Sequence, residues 1–228
     1  MIIAKLVAVV IMAYLLGSIP FGVWIGRRSA KVDVREHGSG KTGTTNVLRV
    51  AGKKAALLVV ALDVLKGALA VIFAGLIIGE SYLMVGEFSL GLVTAQSAAA
   101  LTAMAGHNWS VFLKFRGGRG VATFFGGLIA LIPLVALFGG ELMIIGAGLT
   151  RFVSLGSIAG AIGAYAILIP LTIINGFPIE YLVCVLIGTI TIIIMHRDNI
   201  ARLIAGKERK LGVVAKRMNL PSSRESAG

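Results

Sequence analysis

Cysteine is almost absent: Cys184 is the only one among 228 residues. An internal disulfide is excluded, and so is any thiolate cluster or thiol redox pair. In its apolar run Cys184 reads as a packing residue. The three histidines do not stand at metal-ligand spacing, so no metal is expected. Charge is also scarce. Charged residues make up 14% of the chain against 57% hydrophobic, and only 10 are acidic. That balance excludes an ordinary soluble domain and fits a polytopic membrane protein. There is no repeat of 20–50 residues, no G-x-S-x-G elbow and no H-x-x-x-x-D. Five residues after His37, His107 and His196 come Thr42, Phe112 and Ala201, so a covalent Ser–His mechanism has little support. The first apolar segment lacks a convincing small-residue cleavage site and reads as a retained helix.

What is present is a series of apolar runs long enough to span a bilayer, about 20 residues each. Ile2–Gly26, Ala55–Gly79 and Ser89–Gly106 read as the first three. Gly120–Gly148 is long enough for two short passes turning near Pro133 to Gly140. Ile158–Ile174 and Glu180–Met195 follow, separated by the turn Asn175-Gly176-Phe177-Pro178. The net charge of +12 would suggest a nucleic-acid partner in a soluble protein. Here its placement points to a membrane instead. Of 22 Lys and Arg, 8 lie in Arg27–Lys54, 3 in the loop after His107, 1 at Arg151 and 8 after His196. The links between these carry Glu80, Glu87, Glu141 and Glu180 with no Lys or Arg. Positive-inside asymmetry then predicts an all-α polytopic protein of seven transmembrane helices, N-terminus outside and C-terminus cytoplasmic. Residues 1–210 read as one domain and 211–228 as a basic, flexible cytoplasmic tail. Asp63 and Lys66 stand one turn apart inside a span, where ionisable groups pair or face a wet cavity; they read as a structural ion pair.

The four polar turns on the predicted cytoplasmic face carry the candidate chemistry. Gly106–Thr123, GHNWSVFLKFRGGRGVAT, places His107, Asn108, Ser110, Lys114, Arg116 and Arg119 beside Gly117, Gly118 and Gly120. Glycines let backbone N–H groups approach an anion, and a helix starting near Gly120 adds its positive end. The stretch reads as a phosphate seat or as a tightly packed positive-inside turn. Gly38–Asn46, GSGKTGTTN, resembles two nucleotide motifs but lacks a βαβ setting and has Arg35 where a P-loop needs Gly. What remains is an anion cradle or a flexible basic linker, with Lys41 and Arg49 flanking it. Ser154 and Ser157 beside Arg151 read as helix caps. His196, Asn199 and Arg202 would share one face if the last helix continued, and a histidine transfers protons near neutral pH.

Taken together, GSGKTGTTNVLR (Gly38–Arg49), GHNWSVFLKFRGGRGVAT, RFVSLGSI (Arg151–Ile158) and HRDNIARLIAGKE (His196–Glu208) resemble the signature segments of the PlsY family. These are bacterial acyl-phosphate:glycerol-3-phosphate acyltransferases of the inner membrane. The resemblance runs from about Tyr14 to Lys210. It implies acyl transfer from acyl phosphate to the 1-hydroxyl of glycerol 3-phosphate, giving lysophosphatidic acid and phosphate. It implies no coenzyme A, acyl carrier protein, cofactor or metal, and a monomer among membrane lipids. Carried over by motif, Ser39, Arg49, Gly118, Arg119 and Ser157 would hold acyl phosphate. His196 and Asn199 would engage glycerol 3-phosphate, with Arg119 shared. Lys41, Thr45, Asn46, His107, Gly117, Gly120 and Arg202 complete the expected binding set. Lys41 stands where the family usually has Asn, and Arg119 where it usually has Lys. His196, Arg119 and Asn199 are the expected catalytic residues, with either His196 or a substrate phosphate as base. The competing readings are a transporter for an anionic substrate, motivated by Asp63 and Lys66, and a structural subunit with a basic lipid-facing surface.

Overall fold

The computed structural model describes residues 2–86 and 88–213. Glu87 and residues 214–228 of the expected tail lie outside them. Among the described residues the chain forms nine α-helices and one small hairpin. The order is α1 (Ile2–Ser18), α2 (Phe21–Ala30), α3 (Thr44–Ile78), β1 (Leu83–Val85), β2 (Phe88–Leu90), α4 (Leu92–Asn108), α5 (Val121–Leu131), α6 (Pro133–Thr150), α7 (Val153–Asn175), α8 (Ile179–Met195) and α9 (Arg197–Ile204). The strands pair antiparallel.

Helix lengths refine the expected spans. Four stretches are long and apolar enough to cross a membrane: Ile2–Ala30, Thr44–Ile78, Pro133–Thr150 and Val153–Asn175. A fifth counts if α8 and α9, bent by 57°, are one span. α4 has 17 residues and α5 only 11. At 1.5 Å per residue α5 is about 17 Å long, short of a hydrocarbon core of about 30 Å. Its partner α6 begins at Pro133, whose missing N–H and fixed φ suit a first helical position, so the chain turns at Ile132. α3 starts eleven residues before the expected Ala55. Polar Thr44–Lys54 continues the helix past a kink at Gly52 (φ 83°), a conformation glycine adopts without penalty.

The core is centred on α5. Phe124 and Leu128 pack with Val71, Ala100, Met104, Ala161, Leu168, Val185 and Ile192, drawn from α3, α4, α7 and α8. Alanines dominate the second cluster, where Val9 and Ala13 of α1 meet Ala70, Ala74, Ala95, Ala99 and Ala103. Lipid offers no hydrophobic drive between helices, so small side chains that let backbones approach are what hold such a bundle. At the end of α3, Lys5 Nζ donates to Ile78 O (3.1 Å) and Ser81 Oγ (2.8 Å), which ties α1 antiparallel to α3. The starts of α3, α5 and α7 and the ends of α4, α6 and α8 meet at the opposite end of the bundle.

Candidate functional site

At that end lies a cavity of about 300 Å³. Its polar wall includes Ser39, Lys41, Thr45, Asn46 and Arg49 from the α3 approach, His107 from α4, Arg119 and Gly120 before α5, Ser157 from α7, and His196 and Asn199. Four loops distant in sequence therefore open into one chamber. Its other wall is apolar, with Val60, Val64, Phe125, Met143 and Ile144. Ile144 is 70% exposed, so this side reaches the outer surface of the bundle.

Each loop has its own fastening. Asn46 donates from Nδ2 to Val34 O (2.8 Å), His37 O (3.1 Å) and Lys41 O (2.9 Å), and its Oδ1 accepts from Ser39 N (3.0 Å). Its amide is spent on closing the loop that carries Ser39 and Lys41. Upstream, the Asp33 carboxylate takes Arg35 (2.7 Å) and Arg27 (2.9 Å) and is held far below the usual carboxylate range by Arg35. Gly117 N donates to Asn108 O (3.1 Å) and Gly118 N to His107 O (3.0 Å). These two N–H groups, expected to face an anion, instead fold the loop back on α4, and neither glycine lines the cavity. Gly120, Val121 and Ala122 do line it. They stand at the N-terminus of α5, whose first N–H groups have no carbonyl within the helix and carry the positive dipole end. Gly120 has φ 74°, and a Cβ there would strike Asn108 Oδ1 and Met104.

α8 ends at Met195 and the chain bends at His196 before α9, so the condition under which His196, Asn199 and Arg202 would share one continuous helix face is not met. The break turns both His196 and Asn199 into the cavity. His196 is 2% exposed, and its Nδ1 lies 2.8 Å from Ile192 O. A carbonyl only accepts, so Nδ1 carries the proton and Nε2 the lone pair. Burial, then the Arg119 cation, pushes its pKa down to about 4, which keeps the ring neutral. Arg119 is itself lowered to about 10, first by burial and then by repulsion from Arg202. Lys41 is lowered by burial and by Arg119. Among the described residues no salt bridge engages Lys41, Arg49 or Arg119. The buried Nε atoms of Arg49 and Arg119, Thr44 Oγ1 and Asn199 Oδ1 have no protein partner. Unpaired cations and idle buried donors around a chamber mark a place for anions.

Glu208 was missed from sequence. Its Oε1 accepts from Asn199 Nδ2 (2.6 Å) and Ser154 Oγ (3.2 Å), and its Oε2 from Arg202 Nε (2.8 Å). Arg202 does not line the cavity and acts through this carboxylate. A lone acid within a basic run was the available signal. Ser154 and Ser157 are not caps: Ser154 holds Glu208, and Ser157 donates to Val153 O (2.9 Å). The segment after α9 is tied down by Arg49 Nη2 to Arg209 O (3.1 Å) and Leu211 N to Arg151 O (2.7 Å).

A multi-pass helical membrane protein with an anion chamber and a neutral histidine at one end of its bundle is the class these features define. The model of the family "Glycerol-3-phosphate acyltransferase" matches residues 7–206. Glycerol-3-phosphate acyltransferase 3 of Dehalococcoides mccartyi strain CBDB1 is 63% identical over 95% of this chain and 100% of its own length. The glycerol-3-phosphate acyltransferase of Halalkalibacterium halodurans is 40% identical over 89% of this chain and 94% of its own. The crystal structure of PlsY, an integral membrane glycerol 3-phosphate acyltransferase, in its glycerol 3-phosphate form superposes with a TM-score of 0.78 at 37% identity, covering 91% of this chain and 96% of that one. The chain belongs to the glycerol-3-phosphate acyltransferase family of the PlsY type.

Proposed function

We propose that this protein transfers a fatty acyl group from acyl phosphate to the 1-hydroxyl of glycerol 3-phosphate, releasing lysophosphatidic acid and inorganic phosphate. The observation that carries the reading is the single chamber in which Arg49, Arg119, His196 and Asn199 face one another with an apolar wall beside them. The family's name and the glycerol 3-phosphate and lysophosphatidic acid forms of the PlsY neighbour support the acceptor and the product. The donor is what the resemblance to the PlsY signature segments implies, and the site is compatible with it. An acyl phosphate is already activated, so no enzyme nucleophile is required. Among the described residues no hydrogen bond joins a serine to His196, and Ser154 and Ser157 are engaged elsewhere.

In the proposed step the hydroxyl oxygen attacks the acyl carbonyl carbon. The new C–O bond forms as the bond to the phosphate oxygen breaks, and the electron pair leaves with phosphate. The hydroxyl proton passes to Nε2 of neutral His196. Arg119, Arg49 and the start of α5 stabilise the charge on the departing phosphate, which is catalysis by proximity and fixed charge. A bound phosphate offsets Arg119, so it raises the basicity of His196 when a proton has to be taken. The cavity is at the small end for ligand sites. The acyl tail therefore runs past Met143 and Ile144 into lipid.

We read the chain as crossing the membrane seven times, with α5 as a short fourth crossing and α8 as the last. The N-terminus is outside, and the chamber is at the cytoplasmic face of the bacterial inner membrane, as a monomer. The positive-inside distribution supports this. The buried pair that motivated a transporter is engaged within the bundle. The test is purified protein with a long-chain acyl phosphate and labelled glycerol 3-phosphate, without coenzyme A or metal. Labelled lysophosphatidic acid is expected. Product formed only from acyl-coenzyme A would reject the donor.

A further inference from the structure

At the inner wall of the chamber a polar cluster is buried between α3 and α4. Lys66 is 3% exposed, Asp63 1% and His107 7%. Lys66 Nζ lies 2.8 Å from Asp63 Oδ1 and donates to Ile19 O (3.0 Å), the carbonyl at the break between α1 and α2. His107 Nδ1 lies 3.5 Å from the same Asp63 oxygen. On its other side His107 accepts Gly118 N at its carbonyl, and its Nε2 borders the Gly118 Cα so closely that a Cβ would overlap the ring. Arg119 is the next residue. A continuous line of contacts thus runs from the first helix break, through Lys66, Asp63 and His107, to the segment that presents the guanidinium.

Stability is a weak reason for such a cluster. A buried ion pair replaced by apolar groups is often neutral or better, whereas a half-removed pair is costly. Ionisable groups at membrane depth point by default to function. Asp63 and His107 also form part of the chamber wall beside Arg119 and Gly120. We infer that Asp63 and His107 are positioning residues: the carboxylate, anchored by Lys66, fixes the imidazole, and the imidazole and its carbonyl fix the Gly118–Arg119 segment so that Arg119 meets the leaving phosphate. The inference rests on the acyl-transfer reading.

The test uses full-length protein in lipid nanodiscs. Asp63→Asn/Lys66→Met removes both charges together and leaves no unpaired ion. It is expected to melt close to wild type yet lose about 10- to 100-fold in kcat, the size of effect that outer-shell partners and a 1 Å misplacement produce. Wild-type kcat and KM in this folded variant overturn the inference. His107→Ala provides an independent arm, because it removes the imidazole that Asp63 holds and leaves Gly118 itself unchanged. It is expected to lose about 10- to 100-fold in kcat while melting close to wild type, and His107→Gln, which keeps a polar group toward Asp63, to lose less. Wild-type kcat and KM in folded His107→Ala also overturn the inference. Glycerol 3-phosphate binding by calorimetry separates the two readings. If wild type makes no lysophosphatidic acid from acyl phosphate, the function reading fails. In that case, weaker glycerol 3-phosphate binding in Asp63→Asn/Lys66→Met still supports positioning, and unchanged binding rejects it.

Discussion

Arg119→Ala is the perturbation with the clearest arithmetic. The guanidinium lines the chamber, its Nε is buried without a protein partner, and no salt bridge among the described residues neutralises it. A unit charge about 4 Å from a phosphate in an effective dielectric near 20 is worth about 4 kcal/mol. Hydrogen bonds to a charged group are worth about 1.5–3 kcal/mol net. Loss of about 2–4 kcal/mol of transition-state stabilisation is a fall of about 30- to 1,000-fold in kcat/KM. The ligand-free protein should behave differently. Burial and the neighbouring Arg202 and Arg49 disfavour the Arg119 charge, so its removal should leave the melting temperature unchanged or raise it. Glycerol 3-phosphate at about 100 times its Kd should stabilise wild type by about 2.7 kcal/mol, and the variant by much less at the same concentration. Steady-state kinetics and thermal melts with and without ligand measure both. Arg119→Lys keeps the charge and loses the fork, so it should fall between wild type and Ala. An Arg119→Ala protein within about threefold of wild-type kcat/KM would refute the reasoning, because no 2 kcal/mol effect is that small.

The remaining predictions concern His196 and Glu208. The His196 ring is neutral with its pKa down to about 4, so its histidine NMR signal should titrate well below the ordinary value of about 6.5. Protonation sets in only as pH falls toward 4, so the ring stays competent as a base across pH 5–8. Arg119→Gln should move that midpoint upward, since the Arg119 cation is one of the causes. His196→Gln should cut turnover by about 100-fold or more, the usual scale for general-base loss, while the protein still inserts. Glu208→Ala frees Asn199, Arg202 and Ser154 at once. It should lower kcat and weaken stability together, whereas Arg202→Lys, which keeps the charge beside Glu208, should do less. Melts and kinetics on the same samples check this.

Much of the site was readable because its residue types are rare in this chain. Polar and basic side chains in an apolar sequence gather in a few turns, so Ser39, Arg49, Arg119, His196 and Asn199 stood out, and charge asymmetry placed their turns on one face. Glu208 did not stand out, because a carboxylate in a basic tail reads as a solvated counter-ion until the chain is seen to fold back. Ser154 looked like a cap because hydroxyls near helix starts usually are. Gly117 and Gly118 looked like an anion nest, but whether an N–H faces a ligand or a carbonyl depends on what packs behind it, here α4.

The sequence by itself determined the membrane medium, the helical class, the uneven placement of its charges and which turns carry its polar residues. These follow from local composition, which one segment expresses without the others. Only the tertiary structure decided that α5 is short, that the chain breaks at His196, and that His107 stands between Asp63 and Gly118. Those outcomes depend on which helix faces meet, and close contact between residues tens of positions apart leaves no periodic trace in a single chain.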